Sequence, residues 1–445
     1  MGLRMAELSP AAEDDSAPRA VAARVRARTW AVDLVLVAAA AAVAVVTALT
    51  FGGAADASQR AGVGIVGVAL IILPVAMLRR PELALYGLVP LMTAVSVAPA
   101  PVDFMAVGLF GALVIRGDIR RAARPPRAVS IGLMLLVAAY AAAIVVAPSD
   151  GAFSYAAATL LAVTLGCVTY VLASRDPRTA ERAFVVAGLV LAVETIAALS
   201  PLGAGMRDGI RVRGLFADPN EFGAFAVPAI TLLCVRWPTL SRPRRYGALG
   251  LLVVPIVASL SRGAVLAVGV ALAVLVAVAL RRHLPRVLRR SGAILGLGAA
   301  AVLAVVFFAG SALPERNVSS LIQPFDTERF GGQLAGVEEV LRQPLSLGIG
   351  PGSYEAVLGH ESRETYLRAL VETGALSLAA LLVVFWAVLR LIWRPDLDTL
   401  AWVAAFAGFA ACGLFVDTLH WRELWAVMGV AFAVAAHRRH SAARP

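Results

Sequence analysis

The sequence predicts an all-α, polytopic integral membrane protein, and both the composition and the apolar runs point to it. Of the 445 residues, 60% are hydrophobic and 16% are charged, and the mean hydropathy is +0.81. A soluble protein carries about 25% charged residues. Apolar runs of the length that crosses a bilayer recur from Trp30 to Ala436. Their number predicts about 12 to 14 transmembrane helices.

The apolar runs divide the chain into five regions. We expect a disordered cytoplasmic tail over residues 1–29 and a bundle of transmembrane helices over 30–310. Residues 311–373 are too polar to cross a bilayer and not basic enough for a cytoplasmic loop. They are predicted to form one large extracytoplasmic loop that contains short helices and the candidate active site. Residues 374–436 are predicted to form the last transmembrane helices, and 437–445 a cytoplasmic tail.

The distribution of positive charge predicts the orientation in the plasma membrane. The net charge is +11, and all 40 basic residues are arginine. They cluster in short loops after every second apolar run, which is typical of topology determinants and argues against a nucleic-acid partner. Placing both termini in the cytoplasm puts most arginines there and turns the 311–373 loop outward. The arginines that remain outside depart from this bias and need another explanation.

The sequence predicts neither a metal site nor a cofactor. The cysteines lie far apart in apolar runs, at Cys167, Cys234 and Cys412. They show no metal-ligand spacing and no disulfide framework. No spacing of histidine, cysteine and aspartate suggests a metal centre, and no phosphate-binding loop or nucleophile-elbow motif is present.

The first outward polar cluster, residues 206–225, combines arginines with a predicted helix start. Arg211 and Arg213 precede the sequence Asp-Pro-Asn, in which Asp218 or Asn220 is expected to cap the helix. A helix N-terminus beside arginines is suited to binding an anion such as phosphate. An ordinary capped loop with interfacial arginines is the alternative.

The second cluster is Ser-Leu-Ser-Arg-Gly at residues 259–263, a very short outward turn between two apolar runs. Arg262 lies at the membrane edge with almost no loop around it. An arginine inside the membrane costs about 2–3 kcal/mol, so Arg262 is a functional candidate. The alternative is an arginine that extends to the lipid head groups.

The third cluster is the 311–373 loop. Residues 336–342 predict a short amphipathic helix, and 344–352 predict tight turns, because they contain Gly348, Gly350 and Gly352. Residues 360–372 have helical periodicity, which places Glu361, Glu364 and Arg368 near one another on one side. His360 is the only histidine of this loop. A solvated helix face and a structural histidine are the alternatives.

These motifs together resemble the O-antigen ligase and polymerase superfamily. The resemblance rests on RVRGLFADPNEFGAF (211–225), SLSRGAVLAV (259–268), PLSLGIGPG (344–352) and ETYLRALVETG (364–374), in that order. It implies about a dozen helices with one large outward loop. It also implies transfer of a glycan from a polyprenyl-diphosphate carrier to a hydroxyl of a glycan, lipid or protein acceptor outside the membrane. Such enzymes are metal-independent and inverting, and polymerase and ligase activities share the motifs.

The resemblance also implies a diphosphate site. Arg211, with Arg213 beside it, and Arg329 match arginines that hold the leaving diphosphate, and Arg262 is expected to join them. The remaining motif positions are expected to shape the backbone around the site; they are Gly214, Pro219, Asn220, Gly348, Gly350 and Gly352.

The catalytic position departs from the family pattern. Relatives have His-Asn or His-Ser before the Thr-Tyr-Leu sequence, where this chain has Arg363 and Glu364. Either Glu364 or His360 therefore acts as the acid–base residue, or the acceptor differs, or this branch is inactive. A carboxylate can act as a base where burial raises its pKa, although the neighbouring Arg363 opposes that shift.

A different class of function is also open. A transporter or flippase for an anionic lipid or solute would use outward arginines, but it predicts inverted repeats and broken helices at mid-membrane. A scaffold in cell-envelope synthesis is a third possibility that the residues do not separate from the transferase.

Overall fold

The protein is described by a computed structural model over residues 80–95, 100–122, 124–147, 150–281, 327–343, 347–360, 364–393 and 396–442. The helices, numbered in chain order, are α1 (Leu85–Leu91), α2 (Pro101–Ile115), α3 (Asp118–Arg121), α4 (Arg127–Val146), α5 (Asp150–Arg175), α6 (Pro177–Leu199), α7 (Pro219–Ala224), α8 (Val227–Arg236), α9 (Arg242–Ser259), α10 (Arg262–Arg281), α11 (Thr327–Arg342), α12 (Tyr354–Leu358), α13 (Thr365–Leu389), α14 (Leu397–Cys412) and α15 (Arg422–Ala442). Short 3-10 helices span Pro81–Ala84, Pro201–Met206, Trp237–Thr239 and Arg390–Trp393. Strands β1 (Arg207–Asp208) and β2 (Arg211–Val212) form an antiparallel hairpin.

The all-α, membrane-embedded fold class is confirmed. Within the described ranges, 6 helical segments are long and apolar enough to cross a membrane: Arg127–Val146, Gly151–Arg175, Pro177–Leu199, Pro219–Thr239, Arg262–Ala279 and Thr365–Trp393. The full count of 12 to 14 stays a prediction, because the tail 1–29, the apolar runs before residue 80 and around 291–310, and the loop segment 311–326 lie outside the described residues.

Glycines let the apolar helices approach closely. A Cβ atom on Gly166 of α5 would lie 2.8 Å from the carbonyl oxygen of Trp425 in α15. A Cβ on Gly408 of α14 would lie 2.4 Å from the carbonyl oxygen of Ala267 in α10. Helices in lipid gain little from the hydrophobic effect and associate through such close van der Waals packing at small residues.

The charged residues collect at the two ends of the bundle. At one end, Asp118 lies within ion-pair distance of Arg116 and Arg175, and Arg236 forms a bidentate pair with Glu181. This is the end where the arginines predicted to be cytoplasmic lie. The other end, where α5, α7, α10, α13 and α15 begin, contains the candidate site, and we call it the site end.

The segment before α13 differs from its predicted structure. Residues 360–372 were expected to form one helix, but Gly359 ends α12 in the left-handed conformation and α13 begins only at Thr365. Glu364 precedes that helix with φ −98° and ψ 126°, so it is an extended N-cap residue. Glu364 therefore lies just before the helix that carries Arg368, and its carbonyl oxygen accepts from the Arg368 N–H at 3.0 Å. Inside α13, Gly374 breaks the helix with φ 77° and ψ 175°.

The predicted amphipathic helix is present but longer than expected. It extends from Thr327 to Arg342 as α11, where the sequence predicted residues 336–342. Its glycines weaken the sequence signal for a helix. Packing explains the glycine at position 336. The Tyr354 hydroxyl comes so close that a Cβ on Gly336 would lie 2.1 Å from it.

A buried ion pair joins α2 to α15 at the site end. The guanidinium of Arg422 donates two hydrogen bonds to the Asp103 carboxylate, at 2.7 and 2.6 Å, and the two side chains are 9% and 2% exposed. Asp103 also accepts a hydrogen bond from the backbone N–H of Ala100, at the start of α2. This pair fixes two segments 319 residues apart in sequence.

We expect Asp103→Ala to destabilise the protein strongly, because it leaves the Arg422 charge buried without its carboxylate. Removing one partner of a buried pair costs about 3–5 kcal/mol. Arg342→Ala is the matched control: it removes an arginine that is 70% exposed and pairs with Glu338 and Glu339 along α11. Such a surface pair contributes less than about 1 kcal/mol. Thermal unfolding in detergent compares the two, and equal losses would contradict the structural role of the buried pair.

The predicted orientation is tested by cysteine labelling at the two ends. Glu355 on α12 and Arg244 on α9 are both exposed, and they lie at opposite ends of the bundle. A membrane-impermeant maleimide added to intact cells should label Glu355→Cys and should label Arg244→Cys only after the cells are opened. The parent protein is the control: Cys234 and Cys412 are buried and Cys167 is partly exposed, so its labelling gives the background. Labelling of Arg244→Cys alone in intact cells would invert the orientation.

Candidate active site

Arg211 and Asn220 meet at the site end, where the sequence predicted arginines beside a helix start. The Arg211 guanidinium donates through Nε to the carbonyl oxygen of Ser259 at 3.1 Å and through one terminal nitrogen to Oδ1 of Asn220 at 3.2 Å. Asn220 is held in turn by Asp218, which accepts from its backbone and side-chain N–H groups. The arginine therefore has a fixed position beside the start of α7.

The predicted helix cap is confirmed. Asp218 has extended backbone angles, and its carboxylate accepts a hydrogen bond from the N–H of Asn220 at 2.8 Å. Pro219 is the first residue of α7, where the missing N–H of proline carries no penalty.

The second motif forms a turn that is tied to the first. The Ser261 hydroxyl donates to Oδ1 of Asn220 at 2.7 Å and accepts from the N–H of Ala264 at 3.0 Å, so it caps α10. Arg262, the first residue of α10, is exposed. Arg211 and Arg262 are thus linked through Asn220 and Ser261 at the positive end of a long apolar helix.

Arg213 and Gly214 have separate environments. Arg213 donates from a terminal nitrogen to the carbonyl oxygen of Gly205 at 3.3 Å, while its Nε is buried with no hydrogen-bond partner among the described residues. Gly214 has φ +58°, and a Cβ there would lie 2.6 Å from a carboxylate oxygen of Glu194. Glycine is required at this position on both counts. The structure therefore does not join Arg213 to Asn220.

The glycine-rich turn wraps around one buried carboxylate. Glu372 accepts hydrogen bonds from the backbone N–H groups of Gly352 at 2.7 Å and Tyr354 at 3.1 Å. Its carbonyl oxygen accepts from the N–H of Gly350 at 3.0 Å. Gly348, Gly350 and Gly352 all have positive φ, at 92°, 103° and 69°. These glycines shape the turn against α13.

The predicted catalytic residues differ in placement. Glu364 accepts a hydrogen bond from the side-chain amide of Gln333 on α11, and partial burial raises the pKa of its carboxyl above the usual value. His360 is exposed after the end of α12, close to Gly331 of α11. Arg329 belongs to the first turn of α11, and its side chain lies outside the described part of the structure.

The start of α13 is bonded to the loop that joins α14 to α15. The Thr365 backbone N–H donates to the carbonyl oxygen of Gly413 at 2.9 Å, and its hydroxyl oxygen accepts from the N–H of Thr418 at 2.7 Å. The same loop reaches α10, because a Cβ on Gly263 would lie 3.4 Å from Cγ2 of Val416. The loop therefore contacts both the Arg262 turn and the helix that follows Glu364.

Asp417 is the centre of this loop and was missed by the sequence analysis. Its Oδ2 accepts a hydrogen bond from the Tyr155 hydroxyl at 2.5 Å and from the Arg368 guanidinium at 3.2 Å, and it lies 3.5 Å from Nδ1 of His420. Arg368 also donates to Glu372 at 2.9 Å and lies over the Tyr155 ring, 4.5 Å from its centroid. One carboxylate thus joins α5, α13 and the loop.

These contacts determine the ionisation of Asp417 and His420. Burial alone would raise the pKa of the Asp417 carboxyl, but the neighbouring His420, the charge of Arg368 and the hydrogen bond from Tyr155 hold it well below the usual range. Burial alone would lower the pKa of His420, but Asp417 outweighs it, so the pKa of the imidazole is raised. The arrangement favours an anionic Asp417 beside an imidazole that binds a proton readily.

Two more carboxyl groups are buried nearby. Glu221 on α7 and Glu423 on α15 are 3% and 0% exposed, and Oε1 of Glu221 and both oxygens of Glu423 have no hydrogen-bond partner among the described residues. Among those residues, no three histidine, cysteine, aspartate or glutamate side chains form a group that could hold a metal ion.

A sequence signal for Asp417 and His420 did exist. The tetrapeptide Asp-Thr-Leu-His at residues 417–420 forms a short polar turn between the last two apolar runs. The same criterion singled out Arg262 in its own short turn. The partners Tyr155 and Arg368 carry no such signal, because only folding brings them to the turn.

The comparisons with known proteins give no information about this site. Neither a protein-family model nor a curated protein matches this chain.

The glycine-rich turn gives a test of the site's packing. In Gly348→Ala the new Cβ would lie 2.2 Å from the Glu372 carbonyl oxygen, so the turn must move away from α13. Gly359→Ala is the control, because Gly359 has φ +69° but nothing within 4 Å of its Cβ position. The control should lose only the backbone cost of about 1–2 kcal/mol, and Gly348→Ala clearly more. Thermal unfolding measures both, and equal stabilities would contradict this packing.

Proposed function

We propose that this protein transfers a glycan from a polyprenyl-diphosphate carrier to a hydroxyl acceptor at the outer side of the membrane, without a metal ion and with inversion at the anomeric carbon. The leaving group in this reaction is a diphosphate, so the site must stabilise negative charge that develops as the sugar–phosphate bond breaks. The resemblance of the motifs to O-antigen ligases and polymerases supports this reaction class.

The fixed position of Arg211 is the observation that carries the proposal. Asn220 Oδ1 accepts from both Arg211 and Ser261, and this shared oxygen holds the guanidinium beside the start of α10. Arg262 is exposed on the first turn of that helix. Two arginines and a helix N-terminus at the end of an apolar bundle suit a diphosphate whose lipid tail stays in the membrane.

Other predicted residues complete the proposed donor and acceptor sites. Arg329 is assigned to the diphosphate because α11, which carries it, is bonded through Gln333 to Glu364. Arg213 is assigned to the same charge from the β2 side. Glu364 and His360 remain the predicted acid–base residues of the outer loop. The substrates are a lipid-linked glycan and a glycan, lipid or protein hydroxyl.

The transporter alternative has one specific observation in its favour. Two helical segments are interrupted, between α7 and α8 at Phe225 and within α13 at Gly374. Both breaks lie nearer the site end than the opposite end of their segments, whereas a transporter site is expected at mid-membrane. The positions of these breaks therefore favour the transferase over the transporter.

Arg211→Ala should abolish most glycan transfer, because it removes a fixed donor to the leaving diphosphate. Loss of one such charge-stabilising donor lowers the rate by about 100- to 1,000-fold. The measurement is the surface-glycan profile of native-host cells that lack the chromosomal copy and carry the variant. Arg244→Ala is the control, because Arg244 is exposed at the opposite end of the bundle.

Membrane levels of the variants must be equal for this comparison. An unchanged glycan profile with Arg211→Ala, at normal expression, would contradict the transferase proposal. Movement of the lipid-linked glycan across vesicles that contain the protein, with no product formed from an added acceptor, would favour the transporter.

A further inference from the structure

The His420 side chain is placed differently from the other candidate bases. Its Nδ1 is buried, has no hydrogen-bond partner among the described residues and lies 3.5 Å from Oδ2 of Asp417, within ion-pair distance, while 39% of the side chain is exposed. The exposed part therefore belongs to the rest of the side chain. One ring nitrogen therefore faces a carboxylate inside the protein, while another part of the side chain reaches the protein surface.

Hydrogen bonds hold the Asp417 carboxylate in one position beside this ring. Its side chain is 6% exposed, and its Oδ1 accepts from the backbone N–H of Leu419 at 3.2 Å. Its Oδ2 is fixed by Tyr155 and Arg368, which belong to two different helices. A negative carboxylate 3.5 Å from Nδ1 favours a proton on that nitrogen, which leaves Nε2 free to take a second proton.

The surroundings of His420 include charge of both signs. Asp417 and Glu221 favour the protonated ring, and Arg368 opposes it. The Tyr155 ring meets the imidazole edge-on, with centroids 6.4 Å apart. Burial and Arg368 lower the pKa of His420, but the two carboxyl groups outweigh them, so the pKa remains above its usual value.

The position of His420 connects it to the arginines. Glu221, which acts on the imidazole, directly follows Asn220, the residue that holds Arg211. The loop that carries His420 contacts α10 at Gly263, next to Arg262, through Val416. The imidazole is therefore placed at the same end of the bundle as the proposed diphosphate site, on elements that touch it.

We infer that His420, oriented by Asp417, is the general base that deprotonates the acceptor hydroxyl. This inference rests on the proposed function and assigns its acid–base step. Nε2 takes the hydroxyl proton as the acceptor oxygen bonds to the anomeric carbon. The bond from that carbon to the diphosphate oxygen breaks, and its electron pair leaves with the polyprenyl diphosphate. His420 then releases the proton to water, so the reaction yields the new glycoside, the lipid diphosphate and one proton.

Glu364 has a different role under this inference. Its carboxylate accepts a hydrogen bond from Gln333 and stands before the first turn of α13, so it ties α11 to the site. It is a positioning residue for the helix that carries Arg329. The two assignments predict different dependences of the rate on pH. Only protonation of the general base makes the rate fall as the pH is lowered, and we call this fall the acid limb of the profile.

The first test measures transfer against pH with purified protein in lipid vesicles. The donor is the lipid-linked glycan pool extracted from membranes of the deletion strain, with that strain's surface material as acceptor. In the parent protein kcat/KM should fall tenfold per pH unit below the pKa of His420. His420→Gln should lower the rate by about 100- to 10,000-fold and remove this limb. Asp417→Asn should move the limb to lower pH, because it removes the charge that favours the imidazolium.

The second test requires no activity and no folded variant. Diethyl pyrocarbonate reacts with histidine only when the imidazole is neutral. Its rate at His420, followed by peptide mass spectrometry over a pH series, therefore reports the pKa of that ring. We expect a value above the ordinary value of about 6.5. His437, which is exposed at the opposite end of the protein, is the internal control. A His420 that is unreactive at every pH, or that titrates at or below the ordinary value, would overturn the inference.

The outcomes separate the inference from the proposed function. If Arg211→Ala abolishes transfer while His420→Gln keeps the parent rate and pH limb, the base is another residue and the proposed function stands. If Glu364→Gln removes the limb and His420→Gln does not, the base is Glu364. If the purified parent protein forms no product from this donor and acceptor, the proposed function fails together with the inference.

Discussion

The Asp417 carboxylate is the group on which the site end depends. A buried carboxylate is strongly disfavoured unless cations and hydrogen-bond donors surround it. Tyr155 from α5, Arg368 from α13 and His420 from its own loop meet this requirement together. Because each donor comes from a different part of the chain, the three segments must keep one arrangement for the charge to remain buried. The candidate site is built on that arrangement.

The helices pack differently in the apolar middle of the bundle and at its site end. The apolar middle uses glycines such as Gly166 and Gly408, which let backbones touch where a larger side chain would clash. The site end uses hydrogen bonds and ion pairs, of which the buried pair of Asp103 and Arg422 is an example. A site that binds a charged head group and a lipid tail needs both kinds, with the polar part at the membrane surface.

Local signals predicted the site only where the partners lie close in sequence. Asp218 caps α7, as the sequence predicted. Ser261 caps α10 at the end of its short turn, a role that serine often has but that was not predicted. Helical periodicity was wrong before Thr365, because Gly359 takes a left-handed conformation and the chain becomes extended at Glu364. Periodicity measures only the spacing of apolar residues. It does not detect the hydrogen bonds from Thr365 to Gly413 and Thr418 that determine where this helix starts.

The sequence by itself determined the all-α membrane class, since the cost of exposed backbone polar groups in lipid leaves long apolar segments few alternatives to helices. It also determined which short polar turns carry arginine. The tertiary structure alone decided which charges meet. Tyr155 and Asp417 are 262 residues apart, and Asp103 and Arg422 are 319 apart. Such pairs follow from the way helices pack around a buried charge, and no local pattern of residues encodes that packing.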